Sequence, residues 1–99
     1  MSIRAVVMDS KDNVATLLSD VKASAVVVVI STCGDVVKEV EAVQSIPFGH
    51  KIAIARIERN DLVLKYGEVI GEATEPIEEG EHVHIHNIKS LRVRVETKT

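Results

Sequence analysis

Three of the chain's four histidines fall in one short run, His82-Val83-His84-Ile85-His86-Asn87. Side chains on a β-strand alternate between faces. Read as a strand, the run puts three imidazoles on one face and Val83 with Ile85 on the other, toward an aliphatic core. Such an array can ligate a metal, hold an anion or move protons. Same-face neighbours on a strand lie roughly 7 Å apart, so two imidazoles can share an ion, whereas three need a bulge. A zinc or iron site would want a further ligand, and His50 is the obvious candidate. Partly exposed, hydrogen-bonded histidines without a ligand fit the same spacing, as does a substrate or inter-domain contact. Asn87 faces away from the imidazoles if the strand is regular.

Two further segments carry reactive side chains. In Phe48-Gly49-His50-Lys51, Gly49 permits close backbone approach, and His50 and Lys51 supply a titratable base and a fixed cation. A carboxylate or sulfonate suits that pair; an ordinary surface loop has the same composition. In Lys65-Tyr66-Gly67-Glu68-Val69-Ile70-Gly71, the glycines fit a hairpin, and Glu68 is a candidate acid or base. Neither phosphate-loop glycine pattern is present, and no hydrolase triad signature occurs. The acidic stretch from Glu72 to Glu81 reads as a solvated face. Cys33, the single cysteine, excludes an internal disulfide and fits a reducing cytoplasm. It reads as a small loop residue rather than a reactive thiol.

The elements that must position these groups are short. Strands are expected over Ile3 to Met8, Ala25 to Ser31, Val36 to Val43, Lys51 to Ile57, Leu62 to Lys65, Val69 to Ala73, His82 to Ile88 and Leu91 to Val95. Val14 to Leu18 reads as a short helix capped by Asp12-Asn13, because Val14, Leu17, Leu18 and Val21 recur at three- and four-residue spacings. Ile46-Pro47-Phe48-Gly49-His50 reads as a break. A small repeat runs through the chain: Ile57 to Val63 resembles Ile77 to Val83, with a fainter copy at Val21 to Val27. Each copy has an apolar anchor, a polar turn and a strand. Asn60 and Gly80 hold the same place, and both residue types tolerate a left-handed backbone.

The 99 residues suffice for one small domain, with an ordered core expected over about 3–95. Phe48 and Tyr66 are the only aromatics, so the core must be aliphatic. The net charge of −3, with acids and bases interspersed, argues against a nucleic-acid partner. The longest apolar run, Ala25 to Ile30, is too short to span a membrane. Met1-Ser2-Ile3-Arg4 lacks the apolar region of a signal peptide, so a cytoplasmic chain is expected.

Three segments occur here in the order found in one family: Ile46-Pro47-Phe48-Gly49-His50-Lys51-Ile52-Ala53, Lys65-Tyr66-Gly67-Glu68-Val69-Ile70-Gly71 and Gly80-Glu81-His82-Val83-His84-Ile85-His86-Asn87. With Asp12-Asn13-Val14-Ala15, they resemble the small N-terminal domain or small subunit of the altronate and galactarate dehydratases. The small subunit of sulfolactate sulfo-lyases is similar. Ser24, Ala25 and the segment Ser31 to Ala42 depart from the usual pattern.

The resemblance implies a mainly β, single-domain β-clip fold of the SAF (antifreeze-like) type, with one or two short helical turns. It implies a non-autonomous piece of a lyase, a hydro-lyase that dehydrates sugar acids by β-elimination in carbohydrate acid catabolism. A larger catalytic chain would be the partner and would carry a divalent metal such as iron(II), with no cofactor or metal on this chain alone. His50, His84 and His86 become the catalytic candidates. Lys51, Tyr66, Glu68, His82 and Asn87 become the substrate-binding candidates. A homo-oligomer is also compatible. The competing readings are a sulfo-lyase subunit, a stand-alone module binding a sugar acid or a partner protein, and a self-sufficient metal-binding protein.

Overall fold

The computed structural model describes residues 3–90, and these form nine strands and no helix. The strands are β1 (Ile3–Val6), β2 (Val14–Leu17), β3 (Val26–Ile30), β4 (Val36–Glu41), β5 (Lys51–Ala53), β6 (Leu62–Lys65), β7 (Glu68–Ala73), β8 (His82–Val83) and β9 (Ile88–Lys89). One sheet has the order β4-β3-β1-β2-β5-β8 and a second the order β6-β7-β9. All pairings are antiparallel except β1 with β3.

A single local device recurs four times. Val21, Ile46, Ile57 and Ile77 are each buried, and three residues later come Ser24, Gly49, Asn60 and Gly80, all with positive φ. Each turn closes with a backbone hydrogen bond, from the N–H of Ala25, His50, Asp61 and Glu81 to the carbonyl of Lys22, Pro47, Glu58 and Glu78. Six residues after each anchor, Val27, Ile52, Val63 and Val83 are fully buried. The anchors pair, Val21 with Ile46 and Ile57 with Ile77, and each pair exchanges two backbone hydrogen bonds of 2.8–2.9 Å. The copy at Ile46 is the segment that reads as a mere break in the sequence. Its proline and glycine hid the anchor-turn-strand pattern that the other copies display.

Two aliphatic clusters fill the interior. One gathers Ala5, Leu17, Val27, Val29, Val40, Ile46 and Ile52. The other gathers Val14, Ala53, Ile57, Val63, Ala73, Ile77 and Val83. β2 contributes to both, since Val14 lies in the second and Ala15 and Leu17 in the first. This corrects the expected helix at Val14 to Leu18, and with it the short helical turns. A strand buried on both faces loses the polar–apolar alternation by which strands are recognised. Its three- and four-residue apolar spacings then resemble helix.

The expected strand from His82 to Ile88 is also corrected. β8 stops at Val83, residues 84–87 form a turn, and β9 starts at Ile88. β8 pairs with β5 in the larger sheet and β9 with β7 in the smaller, so the histidine turn is where the chain changes sheets. Val83 is buried, but Ile85 stands 83 % exposed at the tip of the turn instead of anchoring the core. The strand expected from Lys51 to Ile57 ends at Ala53. Val36 to Val43 does contain a strand, β4. The expected strand Leu91 to Val95 lies outside the described residues.

Gly80 carries the tightest constraint on the repeat. Its φ is +94°, and a Cβ there would run into the Glu41 carbonyl oxygen. Gly34 has a similar φ of +91° but open space around it. Gly34→Ala should therefore cost only the left-handed backbone penalty, about 1–2 kcal/mol. Gly80→Ala should cost clearly more, as read from the shift in urea midpoint. Equal losses would mean that the approach of the Glu41 strand to Gly80 carries no weight.

Candidate functional site

All four histidines meet at the corner between the sheets. His50 comes from the second copy of the turn, one residue after Gly49. His82 comes from the fourth copy, two residues after Gly80. Residues Lys51 and Ile52 of β5 pair with Val83 and His82 of β8, which brings the two copies side by side. His50 Nδ1 and His82 Nε2 are 2.9 Å apart and share a hydrogen bond, with the donor set by the tautomer. The His84 ring stacks on His50 at 4.3 Å between centroids and lies 5.4 Å from His82, while His86 lies 5.2 Å from His82 on its other flank. A ligating nitrogen from each of His50, His82 and His84 can be found such that all lie within 4.8 Å of one another.

A turn, rather than strand alternation, gathers these rings. The turn is held by Asn87, which is 1 % exposed. Its side-chain oxygen accepts from the His84 N–H at 2.9 Å, and its amide donates to the His82 carbonyl at 2.9 Å. Backbone bonds from Asn87 and Ile88 to the His84 carbonyl close the turn. Asn87 thus orients the histidines from beneath, with both ends of its side chain engaged by the backbone. His82 is further fixed by Gln44, whose side-chain oxygen accepts its N–H.

The electrostatics favour neutral rings at His82 and His84. Burial, then the charges of His50, His86, His84 and Lys51, push the His82 imidazole down to about 4. Burial and the same cationic neighbours His50, Lys51 and His86 also lower His84. Lys51 is itself held below the usual ammonium value, by burial first and then by Lys65. The site is therefore a cluster of imidazole lone pairs and N–H donors beside two amines.

The second motif reaches this corner from β6 and β7. Tyr66 has a positive φ of 55° and donates from its hydroxyl to Thr16 Oγ1 at 3.2 Å. Thr16 is the β2 partner of Lys51. The Lys65 ammonium sits 5.2 Å from the Tyr66 ring centre. Glu68, exposed at the start of β7 and opposite Lys65, makes no contact with the histidines. The structure thus gathers His50, His82, His84 and His86 with Lys51, sets Tyr66 beside them through Thr16, and leaves Glu68 apart.

Sequence reasoning missed Asp12, Thr16 and Lys65. Asp12 reads as a helix cap, but it is 8 % exposed and clamps two loops. Its carboxylate accepts from the N–H groups of Met8, Asp9 and Gly67, the last at 2.7 Å. Burial alone would raise its carboxyl pKa, but hydrogen bonds from Gly67, Met8, Asp9 and Tyr66 outweigh that and lower it. Asn13 beside it accepts from Leu64 N–H at 2.8 Å and donates to the Leu62 carbonyl. The pair Asp12-Asn13 ties the Tyr66 turn to β2. The signals present were two adjacent polar residues before an apolar segment and the place of Asp12-Asn13-Val14-Ala15 in the family resemblance.

The sequence profile described as the altronate/galactarate dehydratase SAF domain matches residues 3–91. The (2R)-sulfolactate sulfo-lyase subunit alpha of Chromohalobacter salexigens is 37% identical over 93 residues, covering 93% of this chain and 99% of that protein. The altronate dehydratase of Bacillus subtilis is 47% identical over 51 residues, covering 52% of this chain but only 10% of that protein. The altronate dehydratase of Escherichia coli is 37% identical over 79 residues, 80% of this chain and 15% of that protein.

Two substitutions probe the scaffold of the site. Asn87→Ala leaves the His84 N–H and His82 carbonyl without their partner, and should cost about 1–3 kcal/mol in chemical denaturation. A neutral result would show that the turn closes without Asn87. For Asp12 the folded carboxyl pKa lies below its unfolded value of 3.8. Its contribution is therefore complete above that value and disappears as pH falls through the lowered folded pKa. The loss of stability on acidification in that range should be smaller in Asp12→Asn than in the parent chain. Parallel acid-unfolding curves would remove Asp12 from the account.

Proposed function

The chain belongs to the altronate/galactarate dehydratase SAF-domain family, and from that premise we propose that it completes the active site of a lyase on a larger partner chain. The substrate class is a hydroxy acid of the altronate or galactarate type. The observation that carries this reading is the open corner of four imidazoles beside Lys51, on a domain whose hydrophobic clusters are aliphatic.

β-Elimination from a 2,3-dihydroxy acid needs three services. A base takes the proton on the carbon next to the carboxylate. A cationic group holds the carboxylate as it gains enediolate character. An acid protonates the departing hydroxyl so that it leaves as water. A neutral imidazole is suited to the first, and burial and the neighbouring cations hold His84 in that form at neutral pH. The proton so gained can be returned to the leaving oxygen by the same or a neighbouring imidazole. His50, His84 and His86 are the acid–base groups in this proposal. Lys51 is the carboxylate partner, with Tyr66 and Lys65 on the side of Thr16. A divalent ion on the larger chain would supply further positive charge to the substrate carboxylate.

A second reading has its own support. The relative coextensive with this chain is named a sulfo-lyase subunit, and it is aligned over nearly its whole length. Elimination of sulfite from sulfolactate needs the same base and carboxylate partner, while the leaving sulfite needs less help from an acid. Both readings predict one cytoplasmic complex with a larger chain.

The test is reconstitution of the chain with its large partner, with altronate, galactarate and sulfolactate supplied in parallel. One of the three should turn over in the complex and none with the isolated chain. Turnover by the isolated chain would overturn the partner-dependent role. His84→Ala should lower kcat of the complex by about 100-fold or more, the usual weight of a positioned acid or base. Its stability should change by less than about 0.5 kcal/mol, since the side chain is partly exposed. Full activity in both His84→Ala and His86→Ala would exclude the turn from the chemistry.

A further inference from the structure

We infer that this chain holds a divalent transition-metal ion of its own, bound by His50, His82 and His84, with its remaining coordination positions open to an oxygen ligand. The inference goes beyond the partner-dependent reading above and does not rest on it.

The geometry comes from two copies of the turn and the sheet-switching corner. Metal–nitrogen distances to imidazole are about 2.0–2.1 Å, which sets adjacent ligand nitrogens about 2.8–3.4 Å apart for angles between square and tetrahedral. His50 Nδ1 and His82 Nε2, at 2.9 Å, already form one such edge. His84 completes a triangle whose longest side is within 4.8 Å. That side closes by rotation of His84, which sits on a turn rather than inside a packed strand. His50 and His82 are less free. One follows the left-handed Gly49, and the other is locked by Gln44 and the β5–β8 pairing.

A hydrogen bond between His50 and His82 accounts for that pair alone. It does not account for a third ring stacked at 4.3 Å on His50, nor for a buried Asn87 fixing the His84 backbone beside the pair. Three imidazole nitrogens match zinc, iron(II), cobalt, nickel or copper, and poorly match magnesium or calcium, which demand oxygen. They leave the ion's double positive charge uncompensated. Lys51 adds to that charge rather than offsetting it. The site therefore selects an anionic oxygen in its open positions, a carboxylate that can face the ion and Lys51 together. His86 is the fourth ring of the corner, but it lies outside the triangle.

The test uses the full chain, stripped by chelator and titrated calorimetrically with Zn²⁺, with Co²⁺ as a spectroscopic probe. The expected result is one ion per chain and a visible cobalt spectrum of nitrogen-ligand type. His50→Ala, His82→Ala and His84→Ala should each weaken binding by more than the roughly tenfold that loss of even an outer-shell partner costs. Cys33→Ser should leave it intact. His84→Gln serves if an alanine variant fails to fold, because its site is on the surface turn. The inference is overturned by absence of stoichiometric binding, by binding unchanged in His82→Ala and His84→Gln, or by binding lost in Cys33→Ser. The partner-dependent reading survives any of these results, since neither partner nor substrate is present.

Discussion

Two reciprocal pairs of buried anchors, Val21 with Ile46 and Ile57 with Ile77, fix where the rest of the chain can go. Each anchor is followed at a constant distance by a left-handed residue and a buried strand residue. The anchors bury apolar area, the positive φ reverses the chain, and the strand that leaves must then lie across the core. A chain with so little aromatic surface has no large side chains with which to repair a misplaced turn. Regular use of one turn compensates, because the same geometry satisfies the same backbone groups four times.

The histidine corner is a consequence of that frame. His50 and His82 are half-buried and lie one and two residues after the left-handed residues of two copies whose outgoing strands, β5 and β8, are hydrogen-bonded neighbours. Any side chains at these positions would be near one another. The choice of imidazole at both turns a packing coincidence into a chemical group. His84 and His86 are added by a different route, a turn between sheets whose closure rests on one buried amide. The site thus depends on two independent local solutions. The first is shared with the fold as a whole, and the second belongs to the corner alone.

Much of this was legible in the residues, for reasons that can be named. Strands β3, β6 and β7 carry runs of Val, Ile and Leu bounded by turn residues, so local composition suffices. The repeat at Ile57 and Ile77 was visible because its turns are polar and its anchors are isoleucine. The copy at Ile46 was obscured by Pro47 and Phe48. β2 was misread because burial on both faces erases period two. The histidines were recognised as one group with His50 nearby, but from the wrong geometry. A strand was expected to align them, whereas Asn87 folds them back on themselves. Asp12 was identified as a capping residue, which has the right chemistry, since it does accept backbone N–H groups. The donors come in part from Gly67, a contact across 55 residues that no local pattern encodes.

The charge state of the corner follows from its crowding. Burial, the neighbouring imidazoles and Lys51 all raise the cost of charging His82 and His84. Left alone, the His82 ring stays neutral at neutral pH. An anion brought against it changes the balance, because opposite charge favours protonation and offsets the repulsion from Lys51. Proton affinity here is thus set by what docks on the corner as much as by the corner itself. A carboxylate-bearing molecule that sits against Lys51 would raise the basicity of the imidazoles next to it. Under the proposed lyase role, the same approach that binds the substrate would also prepare a base to take its proton.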